Sequence, residues 1–289
     1  IGTHRLLSSD VVFKDLGLLI IDEEQRFGVK HKEYFKKIRP ALDVLSLSAT
    51  PIPRTMYLAM SRLRNMSKIT TPPPGRLPIK TFVLPYSKTI IKEAINAELS
   101  RKGQVYFLHN RIETIEERRR QLKELIPEAR FEIIHGRLHE NDLVSTMEAF
   151  RRGKIDVLVA TTIIENGLDL SGVNTLIVAD SSKLGLGEAY QIRGRIGRGQ
   201  RQAYAYFLYR PRSLSELAKL RLQALGQASY LGAGLKIALK DLELRGAGNI
   251  LGREQSGAIN AVGLNLYLHL LSQAIEMEES KKSLFKYLR

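Results

Sequence analysis

Apolar residues fall along this chain in short unbroken runs rather than in strict alternation with polar ones. Leu16–Asp22 (LGLLIID) and Val44–Leu47 are the first two runs, and each ends in a polar turn. Runs of this kind predict strands buried on both faces of a parallel sheet. Six more follow: Thr81–Leu84, Val105–Leu108, Phe131–Ile134, Ile155–Ala160, Thr175–Ala179 and Ala203–Tyr209. Helical spacing lies between them, as in Glu140–Phe150, where Leu143, Met147 and Phe150 recur on one face. Switching between the two periods predicts an α/β fold. After Arg212 the strand pattern stops. Leu235, Ala238, Leu239 and Leu242 form one apolar helix face; Leu264, Leu268, Leu271 and Ile275 form another. A loop rich in Gly, Arg and Gln, residues 245–257, lies between those two faces. The segment TPPPGRLP at 71–78 can continue neither a helix nor a central strand, so it predicts an extended connector between two domains.

Composition narrows the partners. The chain has 289 residues, with 45 Lys and Arg against 30 Asp and Glu, a net charge of +15. That excess suits a polyanion, nucleic acid or an acidic membrane surface, without choosing between them. Cysteine is absent, which excludes disulfides, thiolate metal sites and a cysteine nucleophile. No apolar run approaches the ~18 residues of a membrane span. The start, IGTHRLLSSD, has no initiator Met and no secretory pattern, so a piece of a longer, cytoplasmic protein is expected.

Four stretches carry candidate chemistry. Asp22-Glu23-Glu24-Gln25 directly follows a predicted strand, and ligands bind at the carboxyl ends of strands in open parallel sheets. Two adjacent acids there suit one carboxylate on magnesium and one on an attacking water, although any strand can end in a solvated acidic turn. Ser48-Ala49-Thr50 ends the next strand, where small hydroxyls can relay hydrogen bonds. Thr161–Asp169 (TTIIENGLD) follows the strand Ile155–Ala160 and could hold a nucleic-acid phosphate through hydroxyls and amides. In Gln191–Arg198 (QIRGRIGR) the spacing sets Arg195 and Arg198 one helical turn apart, and paired guanidiniums suit a triphosphate. His135 and His139 make no convincing metal site, and Arg118-Arg119-Arg120 is expected to be a solvated helix face.

Taken in order, Gly2–His4, DEEQ at 22–25, SAT at 48–50, TTIIENG at 161–167 and QIRGRIGR at 191–198 resemble the motifs of superfamily 2 helicases. The longer strings DEEQRFGVKHKE, SATPIPRTMYLAMS and DLELRGAGNILGREQSG are similar to those of bacterial transcription-repair coupling factors. The RecG-type branch-migration helicases share SATPIPRT and the late Arg-Gly segment. LRNMS and NLYLHLLSQAIE favour the coupling factors.

The resemblance implies an ATP-dependent double-stranded DNA translocase with RecA-like lobes: a partial first lobe over 1–74, a complete second lobe over 75–230 and a helical hairpin over 231–289. Asp22 would hold Mg2+ and Glu23 would activate water, with Gln191, Arg195 and Arg198 reaching the nucleotide as fingers. Gln25, Gly167 and Asp169 would touch ATP. Thr3, His4, Arg5, Thr161 and Thr162 would meet the DNA backbone, and Ser48, Thr50, Arg245 and Gln255 would couple hydrolysis to movement. Two positions depart from the family, Gln25 where His is usual and Asn166 where Thr is usual. RNA polymerase and UvrA would be partners through modules outside these residues, and no membrane partner is expected. A larger departure is that no G-x-x-x-x-G-K-[ST] phosphate loop occurs, since the only Gly-Lys pair, Gly153-Lys154, precedes Ile155. The resemblance places that loop upstream of Ile1, so these residues alone are expected not to turn over ATP. The rivals are the RecG-type enzyme and a non-catalytic nucleic-acid-binding module on a helicase fold.

Overall fold

The computed structural model describes residues 1–8, 10–23, 42–48, 65–67, 69, 71–161, 172–228, 230–245 and 273. It divides into two compact units, Ile1–Met66 with Ala247–Arg289, and Ser67–Gly246.

In the first unit Thr3 caps a single 3-10 turn, His4–Leu7. Strands β1 (Leu18–Asp22) and β2 (Asp43–Leu47) pair in parallel, with Leu19 opposite Val44 and Asp22 opposite Leu47. Parallel pairing brings the carboxyl ends of both strands to one edge, so Asp22-Glu23 and Ser48 emerge on the same side.

The second unit is a six-stranded parallel sheet in the order β3-β8-β7-β4-β6-β5. Its strands are β3 (Lys80–Pro85), β4 (Gln104–Leu108), β5 (Phe131–Ile134), β6 (Val157–Ala160), β7 (Val173–Val178) and β8 (Tyr204–Tyr209). Six helices accompany them: α1 (Lys88–Ser100), α2 (Ile115–Leu125), α3 (Glu140–Arg151), α4 (Leu186–Arg193), α5 (Glu216–Gln227) and α6 (Gly234–Arg245). Local chemistry sets several boundaries. Ser87 and Ser215 accept the Ile90 and Ala218 amides and so cap α1 and α5. The amide of Gly185 donates to the Glu188 carboxylate at 3.1 Å, which fixes the start of α4.

Burial on both sides accounts for the unbroken apolar runs of β4, β6 and β7, whereas β1 and β2, also expected to be buried on both faces, expose Leu18, Ile20, Val44, Leu45 and Leu47. Along β4, Tyr106 and Leu108 face one core and Val105 and Phe107 the other, and all four are buried. The first core takes Met147 and Phe150 of α3, Ile192 of α4, Leu222 and Leu225 of α5 and Ile237 of α6. The second takes Ile91 and Ile95 of α1 and Ile115 and Leu122 of α2. One carboxylate interrupts it: Glu98 of α1, only 1% exposed, pairs with Arg101 and accepts the Thr175 hydroxyl of β7. The chain passes it at Gly103, where a Cβ would overlap the carboxylate.

Several expectations shift. The first strand begins at Leu18 rather than Leu16, the sixth at Val157 rather than Ile155, and the seventh spans Val173–Val178. Residues 71–78 are extended with a turn at Gly75 (φ 76) and lie within the second unit. The apolar face expected in α6 is rotated: Ile237, Ala238 and Asp241 are buried, while Leu235 and Leu239 are half-buried. Arg118 is not a solvated residue, because it is half-buried and donates to the Tyr86 hydroxyl at 2.8 Å. The second expected face of the tail, Leu264 to Ile275, lies outside the described residues.

Candidate functional site

Among the sequence candidates, Asp22, Ser48 and Thr161 fall at strand carboxyl ends. In the first unit β1 delivers Asp22 to its exposed end. The next residue, Glu23, adopts φ 52, a left-handed conformation that costs a non-glycine residue about 1 kcal/mol. Its amide turns back to donate to the Asp22 carboxylate at 2.9 Å. Strain of this kind concentrates at functional sites. Glu23, half-buried, thus stands where the strand ends, next to the exposed Asp22. Magnesium takes one or two carboxylates plus phosphate oxygens, so a single exposed Asp at a strand end fits its chemistry. Among the described residues no group of three or more His, Cys, Asp or Glu is arranged to hold a metal unaided. Ser48 stands at the neighbouring strand end, exposed. Arg5 forms a two-point ion pair with Asp10, at 2.7 and 2.5 Å, which raises the guanidinium's pKa and lowers that of the carboxylate. Thr3 is engaged as a cap and His4 is exposed in the same turn. Gln25 and Thr50 lie outside the described residues.

In the second unit α4 carries Gln191, half-buried, and ends at Arg193. Arg195 and Arg198 therefore do not share a helical turn. They follow the helix end at Gly194, and Gly197 between them takes φ 64. A Cβ at Gly197 would lie 2.6 Å from that of Ala203, so only glycine fits between this segment and the start of β8. Arg195 is half-buried and Arg198 exposed on the resulting irregular segment.

The arginine that sequence reasoning passed over is Arg193. It is 4% exposed and donates to the Thr81 hydroxyl (3.2 Å), the Leu225 carbonyl (3.2 Å) and the Ala228 carbonyl (2.7 Å). Its guanidinium lies 4.8 Å from the Tyr190 ring centre. Burial lowers its pKa. Removing such a cation from water costs several kcal/mol, offset by charge-assisted bonds to carbonyls at the negative end of α5. The signal in the sequence was its position: among the motif's arginines it alone lies one helical turn from Tyr190, itself packed against the core.

At the other strand ends, Thr161 follows β6, 5% exposed, and its hydroxyl has no hydrogen-bond partner among the described residues. His109 follows β4, with Nε2 2.8 Å from the Thr114 hydroxyl. Its pKa is pushed down to about 4, first by burial and then by Arg118, Arg111 and Arg210, with Asp180 opposing. The ring of Tyr86 at the end of β3 takes Arg118 at 5.6 Å and Arg210 at 5.8 Å from its centre. Thr162, Gly167, Asp169 and Gln255 lie outside the described residues, and Arg245 ends α6.

A six-stranded parallel sheet with these strand-end groups is a RecA-like helicase C-terminal fold, and residues 87–200 match the helicase conserved C-terminal domain. Across nearly its whole length the chain is similar in sequence to transcription-repair-coupling factors. It is 55% identical over 277 residues to that of Bacillus subtilis (strain 168), covering 96% of this chain and 24% of the relative. It is 50% identical over 283 residues to that of Staphylococcus haemolyticus (strain JCSC1435), covering 98% and 24%. The chain thus spans about a quarter of the length of the curated relatives it matches. Among solved structures, RecG bound to a three-way DNA junction matches with a TM-score of 0.65 and 33% identity over 94% of this chain and 36% of that one. S. cerevisiae Dbp5 bound to RNA shares the fold, with a TM-score of 0.52 and 18% identity over 73% of this chain and 56% of that one. No described helix is long and apolar enough to cross a membrane.

Proposed function

We propose that this chain is part of the ATP-driven motor of a cytoplasmic double-stranded DNA translocase that displaces RNA polymerase stalled at lesions. Its 55% identity over 277 residues with a transcription-repair-coupling factor is the observation that carries this reading. RecG-type branch migration, favoured by the TM-score of 0.65 to a junction-bound relative, is the second reading.

ATP with magnesium supplies a phosphoanhydride whose hydrolysis releases the energy for movement. Asp22 would hold the ion, and Glu23, next to it at the strand end, would orient the attacking water and take its proton. Arg195 and Arg198 would place positive charge beside the phosphates as negative charge builds on the departing oxygen, and the neutral Gln191 amide would add a hydrogen bond. Gln25, Gly167 and Asp169 add nucleotide contacts. Thr3, His4, Arg5, Thr161 and Thr162 hold the DNA backbone, with Arg5 exchanging Asp10 for a phosphate. Ser48, Thr50, Arg245 and Gln255 relay hydrolysis to movement. RNA polymerase and UvrA bind through parts of the parent outside these 289 residues. The present residues lack a phosphate loop in sequence and do not turn over ATP by themselves.

The test is polymerase displacement. A full-length coupling factor carrying these residues should clear a stalled polymerase in an ATP-dependent way. Junction unwinding without polymerase displacement would replace this reading with the RecG-type one.

A further inference from the structure

We propose that Arg193 is a positioning residue that locks the segment carrying Arg195 and Arg198 to α5 and α6. The inference rests on the motor reading above and adds the part that transmits motion. Arg193 is two residues from Arg195 and five from Arg198, yet its guanidinium points inward. Its three hydrogen bonds reach β3 through Thr81 and the last turn of α5 through Leu225 and Ala228. Those two carbonyls are among the acceptors that a helix end leaves without intrahelical partners. The amide of Ala228 bonds back to Ala224, so this turn is closed from the backbone side as well. Helix α6 begins six residues further on and packs against both α4 and α5. One buried cation thus joins the end of the nucleotide-facing helix to the end of the helix that leads into α6.

An apolar side chain would fill this space without the desolvation penalty, so filling space does not explain a guanidinium here. What the cation adds is direction. It holds two helix ends in one register, so displacement of the finger segment by nucleotide moves α5 and α6 with it. Arg245, where α6 ends, is then carried by the same motion.

The test uses a full-length coupling factor with Arg193→Met and Arg193→Lys, measuring DNA-stimulated phosphate release and triplex displacement in parallel. The Met variant should still fold and hydrolyse ATP, while displacement per ATP hydrolysed falls about tenfold. The Lys variant, keeping the charge and part of the bonding, should recover part of that ratio. Hydrogen exchange at the amides of residues 226–230 should accelerate in the Met variant without nucleotide. Displacement and hydrolysis falling by the same factor, or a Lys variant no better coupled than Met, would overturn the tether. Absence of DNA-stimulated hydrolysis in the unaltered protein would instead overturn the motor reading on which it rests.

Discussion

The backbone amide of Glu23 donates to the carboxylate of Asp22 at 2.9 Å, and Glu23 itself sits in the left-handed region at φ 52. An extended Glu23 would continue the strand, with its side chain on the opposite face from that of Asp22. The positive φ instead ends the strand at Asp22.

That conformation has a measurable cost. Replacing Glu23 with glycine should stabilise the chain by about 1 kcal/mol, because glycine adopts positive φ freely. The same change removes the carboxylate, so a full-length protein carrying it should lose hydrolysis while gaining resistance to urea. Destabilisation by Glu23→Gly would mean that the side chain, not the backbone, holds this turn.

Protonation of His109 opposes folding. Its pKa falls from 6.5 to about 4 in the folded chain, so between those values the unfolded chain binds the additional proton. Stability from this group is therefore full above pH 6.5 and is lost as the pH falls toward 4. The causes are burial, then Arg118, Arg111 and Arg210, against which Asp180 acts alone. His109→Asn should flatten the decline in urea midpoint over that interval, and the ring should titrate near pH 4 by NMR. Titration at its ordinary value would show that the strand-end arginines do not crowd it.

The buried Glu98 makes Gly103 intolerant of a side chain. Gly103→Ala should cost about 1–3 kcal/mol, the usual range for forcing atoms into a filled interior. In a Glu98→Ala background the obstructing carboxylate is gone, so the second substitution should add little. Equal costs in both backgrounds would place the constraint in the backbone.

The strands were legible because each is a short continuous apolar run, which burial on both faces accounts for in β4, β6 and β7, and all eight lie within two residues of the expected limits at each end. Their order was not legible, since parallel neighbours such as β3 and β8 lie far apart in sequence and every strand presents similar residues. Among the motifs, Asp22 and Glu23 were readable as a pair, but the bend between them was not, because glutamate gives no local signal for positive φ. The expected helical turn linking Arg195 and Arg198 failed at Gly194 and Gly197, where the helix ends and the close approach to Ala203 admits no side chain. Arg193 stayed hidden for a related reason. In an arginine-rich string every guanidinium resembles a ligand-binding group, and the spacing from Tyr190 that marks Arg193 gains meaning only once the helix is seen to end at Gly194. Glu98 was likewise indistinguishable from a solvated helix position until Thr175 and Arg101 were brought beside it.

The most direct test of the motor reading is DNA-stimulated phosphate release by a full-length coupling factor carrying these residues, compared with its Glu23→Gln and Arg198→Ala variants. Loss of the general base should slow hydrolysis by about 10²–10⁴, and loss of a finger by about 10³–10⁵, with nucleotide binding retained. Hydrolysis unchanged in both variants would contradict the roles proposed for Glu23 and Arg198.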